Sequence, residues 1–336
     1  MTTILSDMNE VFNRLADEAK SNGFGSAGSD FKTCPNWEVR LEFFGKEEAE
    51  FVFKSDLNFD DDQLPQVKGF NTNFKQWISV GTKECTTHLY VKRTEGNSQL
   101  FRLMISDAIQ DLVNNDANAV QSFEIVLSRI QQWSGIFSHK TRSNMALDDE
   151  IGLFGKLSCL NSILEMGFEP LDTVLAWKGP DQGIHDFSFH NCDIEVKSTL
   201  EEKNFPVRIF NQGQLDTPSG TSLWLCGYRL TRSETKGKTL FSLIELIREK
   251  LESSERARDK FDVLLGKAGW LDEYKNRMQN RFVISKNYYW KVHETFPRIV
   301  PSNLMPGITS VSYRIDLVGR AVDAKNIKQV FKNSME

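Results

Sequence analysis

The sequence predicts an α/β fold, and three patterns carry that expectation. Apolar and charged residues alternate in strand-like fashion at 37–44 and again at 311–317. Runs with apolar residues three and four apart, as on a helix face, separate these stretches. Between them, 147–228 reads as helix, hairpin and strand in succession, the skeleton of a small α/β core. At 336 residues the chain is about twice the usual size of one domain. The division expected is an N-terminal mixed α/β domain over 1–138, a core over 145–235 and a C-terminal α/β region over 236–336.

The N-terminal part opens with scattered apolar residues among alternating charges, unlike a secretory or targeting peptide. Strands are expected at 37–44 and 50–54 as a hairpin, then at 77–80 and 87–92. Gly96-Asn97-Ser98 caps a helix carrying Phe101, Met104, Ile105, Ala108, Ile109 and Leu112, and a second, with Phe123, Val126, Leu127, Ile130 and Trp133, stops at Gly135. The run Asp60-Asp61-Asp62 lacks the alternating oxygens and glycine of a calcium loop and reads as a solvated loop. Residues 138–144 form a polar linker.

A helix then starts at Leu147-Asp148-Asp149, where acidic residues suit the positive end of the helix dipole, and closes at Gly167. The hairpin 186–199 and the apolar strand 222–228 follow. Further on, Leu240, Leu243, Ile244, Ile247 and Leu251 mark one helix face, and Phe261, Leu264 and Leu265 another. The mixed charges of 248–260 read as a solvated helix face. Strands close the chain at 281–285 and 311–317.

A net charge of -5 does not favour a non-specific nucleic-acid coat, though a local basic groove is compatible with it. The five cysteines are far apart and without Cys-x-x-Cys pairing, so they are expected free and reduced. No stretch approaches the roughly 20 uninterrupted apolar residues of a membrane helix, and a cytoplasmic location follows. Ser158 has no evident His and acid partners, and neither a phosphate-binding loop nor a dinucleotide fingerprint occurs.

The chemistry concentrates at His185-Asp186-Phe187-Ser188-Phe189 and Ile194-Glu195-Val196-Lys197. A turn centred on Asn191 and Cys192 would pair Phe189 with Ile194 and Phe187 with Val196 on one apolar face. The other face would pair Ser188 with Glu195 and Asp186 with Lys197. Asp186 and Glu195, with the carbonyl of Val196, suit magnesium, or manganese in its place, because hard cations take one or two carboxylates plus water and substrate phosphate. Lys197 is placed to orient the attacking water and stabilise developing negative charge. The same spacing also describes a half-exposed strand with a weak Asp186–Lys197 surface pair. His185 and His190 flank the hairpin, and Gln214 is a candidate phosphate or base contact.

The run from Glu150 to Leu160 with its Gly-Leu-Phe-Gly, then Trp177-Lys178-Gly179-Pro180, His185–Phe189 and Ile194–Thr199, resembles a bacterial family of PD-(D/E)XK proteins over roughly 147–320. Gln214-Leu215-Asp216, Phe296-Pro297-Arg298-Ile299 and Tyr313 extend the likeness. The resemblance implies a restriction-endonuclease-like core, a mixed sheet flanked by helices, with Asp186, Glu195 and Lys197 at the signature positions. It implies DNA as substrate, with Gln214, His185 and Ser198 as contacts, a place among restriction or anti-phage gene products, and partner subunits from the same set. A homodimer would let two sites cut two strands. The literal Pro180-Asp181 falls in a loop, and Asp186 has the better register. One departure stands out: Lys156 sits where the family shows a glutamate. Either Glu150, about one and two-thirds helical turns earlier, completes the metal shell, or the shell is thinner. A non-cleaving DNA-binding or scaffold subunit is the alternative that Lys156 motivates.

Overall fold

The structure is a computed structural model, which describes residues 4–21, 26–34, 37–44, 48–55, 64, 70–78, 85–93, 98–115, 118–138, 145–181, 183–217 and 220–335. They fall into two compact units, Met1–Ser143 and Asn144–Glu336. The acidic run 60–62 and the linker residues 139–144 lie outside the described residues.

In the first unit, α1 (Ile4–Ser21) buries Leu5, Met8, Phe12, Leu15 and Ala19, spaced so that one stripe faces inward. The sequence reading missed this helix, because its charges mask the stripe. An antiparallel sheet runs in the order β1 (Ser26–Cys34), β2 (Trp37–Phe44), β3 (Glu48–Ser55), β5 (Cys85–Arg93), β4 (Phe70–Ile78). Of the strand expected at 77–80, Trp77 and Ile78 are the end of β4, which starts at Phe70, and 79–80 lie outside the described residues. Helix α2 (Ser98–Asn115) packs on α3 (Ala119–Ser138), where Trp133 Nε1 donates to the buried Asp107 carboxylate at 3.0 Å. Gly135 does not stop α3, which continues to Ser138.

The second unit is a mixed α/β fold of the restriction-endonuclease-like kind. Its sheet has the order β10 (Lys238–Thr239), β11 (Arg281–Val292), β9 (Ser222–Ser233), β7 (Cys192–Thr199), β6 (Phe187–Ser188). β7 and β9 are parallel, and the other pairs are antiparallel. Residues 236–336 are therefore not a separate region: β11 is an interior strand of the sheet, covering the edge that β9 would otherwise leave open.

Helix α4 (Leu147–Glu165) packs on β7 and is buried nearly all round, as its weak amphipathicity requires. Gly155 makes the closest approach, since a Cβ there would lie 1.7 Å from Ser198 Oγ and 3.7 Å from a Val196 methyl. The even-numbered residues of β7 thus face α4. The odd-numbered ones face a two-stranded ribbon, β8 (Pro206–Ile209) with β12 (Tyr313–Asp316). That ribbon covers a cluster of Phe205, Val207, Ile209, Leu223, Leu225, Trp290 and Val292. Gly227 lets it close down, because a side chain there would strike Phe205 and Trp290.

Four short helices complete the unit. Helix α6 (Leu240–Lys250) ends before α7 (Glu255–Lys267), so 248–260 is not one helix; Ser254 Oγ accepts from Ala257 N and starts the second. Arg248, expected on a solvated face, is instead 12% exposed and ion-paired to Glu245, Asp262 and Asp272. Helix α5 (Pro170–Ala176) precedes the site, and α8 (Ile327–Met335), which the sequence reading passed over, packs on α4.

Replacing Gly155 by Ala is expected to lower stability by about 1–3 kcal/mol, the usual range for overpacking. Adding Ser198→Ala should recover part of the loss. Thermal unfolding of the two single variants and the double variant checks this, and strictly additive losses would place the strain elsewhere.

Candidate active site

The hairpin turn lies one residue earlier than expected. Phe189 N donates to Cys192 O at 2.9 Å, which centres the turn on His190 and Asn191. Phe187 therefore pairs with Ile194 and Ser188 with Asp193, rather than with Val196 and Glu195. This slip is of two residues, and a slip by an even number leaves every side chain on its own face. Continuing the ladder one step brings Asp186 opposite Glu195.

Asp186 stands where β6 leaves β7, and it is fixed from several directions. Its backbone oxygen accepts from Lys178 N at 2.9 Å and Gly179 N at 3.2 Å. Its Oδ2 accepts from Val196 N at 2.9 Å, so a side chain fills the place of a strand hydrogen bond. Its Oδ1 meets Lys156 Nζ at 2.6 Å. Gly179 has no side chain because a Cβ would lie 2.8 Å from that same oxygen. Trp177, bridged to Phe187, packs at the back.

Glu195 projects from β7 and is 2% exposed. Its Oε1 takes Lys197 Nζ at 2.7 Å and Gln214 Nε2 at 3.0 Å. Burial pushes the Glu195 carboxyl up to about 7; Lys197 opposes the rise and Asp186 adds to it. Burial works against the charge on Lys156, and the attraction of Asp186 more than offsets it, raising the ammonium above its ordinary value.

The remaining expected residues separate into two groups. Gln214 joins the site, but through Glu195, and its Oε1 accepts from Phe210 N at 2.8 Å. The other three do not lie open to a ligand. His185 is buried, within 3.6 Å of Asp193, and burial holds its imidazole below the usual value. Ser198 Oγ is buried against Gly155. Glu150 accepts from Asn280 Nδ2 at 2.7 Å and feels Arg232, near the far end of β9, so its partners are not those of Asp186 and Glu195. Burial raises its pKa. His190 is exposed at the turn. Asp181 is held by Lys267 and Lys260 of α7, at 2.5 and 3.4 Å.

Two residues of the site escaped the sequence reading. Asp193 is buried, accepts from Ser188 Oγ at 2.5 Å and faces His185. Its odd number, shared with Glu195 and Lys197, was the available signal. Lys156 was noted as a departure, but nothing in the local spacing tied it to Asp186.

Among the described residues, no group of three or more His, Cys, Asp or Glu is arranged to hold a metal ion. The donors at the edge of β7 nonetheless suit a hard divalent cation. They are two carboxylates, of which Glu195 would be relieved of its burial by a cation, and the Val196 carbonyl. In a strand, one residue's N–H and C=O point to the same side, so this carbonyl points toward the edge where Val196 N meets Asp186.

A family model described as "Putative PD-(D/E)XK family member, (DUF4420)" matches residues 9–318. The match therefore takes in most of the first unit as well as the second. No curated protein and no solved structure matches the chain. No helix among the described residues is long and apolar enough to cross a membrane.

The raised Glu195 pKa sets a pH dependence. A carboxyl that ionises at about 7 when folded, against an ordinary 4.5, contributes stability below about 4.5 that is lost as pH rises through 7. A cation competes with the same proton. Magnesium or manganese should therefore raise the melting temperature more at pH 8 than at pH 6. Equal shifts at both values would show that the cation does not bind at Glu195.

Proposed function

The chain belongs to the DUF4420 family of PD-(D/E)XK proteins, and on that premise we propose that it is a metal-dependent nuclease hydrolysing phosphodiester bonds in DNA. The observation that carries the reading is the meeting of Asp186, Glu195 and Lys197 at the edge where β6 leaves β7. Asp186, Glu195 and the Val196 carbonyl would hold magnesium, or manganese in its place. When bound, the cation supplies Lewis acidity toward the phosphoryl oxygen and the attacking water.

The protein's own contribution is orientation. Asp186 cannot swing, because its carbonyl and one carboxylate oxygen are both bonded to backbone amides. Lys197, drawn in by Glu195, is positioned to align a water for attack and to stabilise the negative charge that grows on the phosphate. Gln214 fixes the Glu195 rotamer from the opposite side. The resemblance to restriction and anti-phage proteins supports foreign DNA in the cytoplasm as the target and other products of the same gene set as partners. A homodimer would give each strand of a duplex its own site.

A second reading rests on a specific contact. Lys156 Nζ lies 2.6 Å from Asp186 Oδ1, where a tethered cation stands in for a mobile one. On that reading the chain is a non-cleaving DNA-binding or scaffold subunit.

Plasmid and linear DNA incubated with the protein in magnesium, manganese or EDTA decide between the two. Metal-dependent cleavage that Asp186→Ala and Lys197→Ala each reduce by about 10²-fold or more supports the nuclease. DNA binding without cleavage in either metal supports the scaffold. Manganese titration of Lys156→Gln adds a readout independent of activity. Tighter binding than in the unaltered protein is expected if Lys156 competes for Asp186, whereas weaker binding would mean that it props the carboxylate in place.

A further inference from the structure

The ribbon of β8 and β12 has one face on the core and one in solvent. On the solvent face, Arg208 and Arg314 are directly opposed across the two strands, and both are exposed. Like charges in opposed positions repel and destabilise a ribbon. No carboxylate among the described residues forms an ion pair with either. Asp316, two residues beyond Arg314 on the same strand, has Oδ1 occupied by Phe205 N at 3.1 Å and Val318 N at 3.0 Å. Folding thus leaves two exposed arginines opposed across the ribbon, with charge available to an anion.

Two residues beyond Arg208, on the same face, comes Phe210. Its side chain is 60% exposed, in a position that contributes little to any core. The Arg208 guanidinium lies 5.0 Å from its ring centroid and Lys197 Nζ 5.5 Å from it. The ring therefore bridges Arg208, one of the opposed arginines, and the lysine of the candidate active site. Its backbone is not loose: Phe210 N donates to Gln214, and Gln214 donates to Glu195, so three residues in a row connect the ring to the metal-binding carboxylate. Ile184, 62% exposed, sits against the same turn at Gly213.

A ring 60% exposed to water, with the Arg208 and Lys197 cations over it, matches a nucleobase and the phosphates on either side of it. In a duplex, base faces are covered by their neighbours and only edges are offered to a protein. A ring can stack on a base only when that base is unpaired. We infer that the surface of Arg208, Phe210 and Arg314 takes an unpaired stretch of a DNA strand, one base stacked on Phe210 and adjacent phosphates on the arginines, which sets the next phosphodiester at Lys197. The inference rests on the nuclease reading of the site and narrows its substrate to single-stranded or locally opened DNA.

Fluorescence anisotropy in calcium, which replaces the catalytic cation, tests it with the full chain and labelled oligonucleotides of one length: single-stranded DNA, duplex DNA, a duplex with an unpaired bubble, and single-stranded RNA. The single strand and the bubble should bind more tightly than the duplex. Phe210→Ala should weaken single-strand binding about ten-fold or more with little effect on duplex, and Phe210→Trp should preserve it. Arg314→Gln should weaken every DNA and lower the slope of log affinity against log salt by about one. A 2-aminopurine in the strand should be quenched on binding to the unaltered protein and not to Phe210→Ala. Circular dichroism of each variant confirms that it is folded. Duplex preferred over single strand, or Phe210→Ala binding unchanged, overturns the inference, as does tighter binding of RNA than of DNA. If duplex is cleaved as fast as single strand and Phe210→Ala leaves both rates unchanged, the inference falls and the nuclease reading stands without it. A chain that binds no nucleic acid at all overturns both.

Discussion

One hydrogen bond organises this molecule's candidate site: the donation from Val196 N to the carboxylate of Asp186. A two-residue strand cannot supply a full ladder to β7, so the edge of that strand would carry an unpaired amide inside the protein. The Asp186 side chain removes that penalty and is itself immobilised. Everything nearby follows from this substitution. The 178–179 amides must come close to hold the Asp186 carbonyl, Gly179 must lack a side chain, and the Val196 carbonyl is left facing the same gap.

The second constraint is electrostatic. Two carboxylates, each almost fully buried, share a small volume, and buried charge is tolerated only with compensation. The chain answers with two lysines from different elements, Lys197 in the strand itself and Lys156 in the central helix. The arrangement is neutral by formal count and still leaves Glu195 reluctant to ionise, because pairing with a lysine restores less than water would. A site of this kind stores an appetite for additional positive charge without any large acidic patch on the surface.

How much of this was legible in the sequence depends on the range of the interaction. Alternation along β7 is a local property, and it placed Asp186, Glu195 and Lys197 on one face even though the assumed turn was wrong, since a two-residue slip preserves the face. The slip itself came from assigning Cys192 to the turn, when its burial makes it the first strand residue. Helix α1 was legible in principle from the spacing of Leu5, Met8, Phe12 and Leu15. Lys156, Glu150 and Gln214 were beyond local patterns. Their partners are set by how α4 lies on the sheet, by the ends of β9 and β11, and by the crossover from β7 to β9. His185 and Ser198 were chosen for chemistry and proximity, but burial, which spacing does not reveal, turned both inward.

The late position of β11 and β12 has a consequence for the timing of synthesis. Chains emerge from the ribosome N-terminus first and fold as they come. Asp186, Glu195 and Lys197 are made well before Arg281–Val292, the strand that pairs with β9 in their sheet, and before Tyr313–Asp316, which pairs with β8. A nascent chain therefore carries all three residues of the candidate site without the framework that arranges them. Whatever chemistry the site performs therefore waits until β11 and β12 have been made and have joined the strands that precede them.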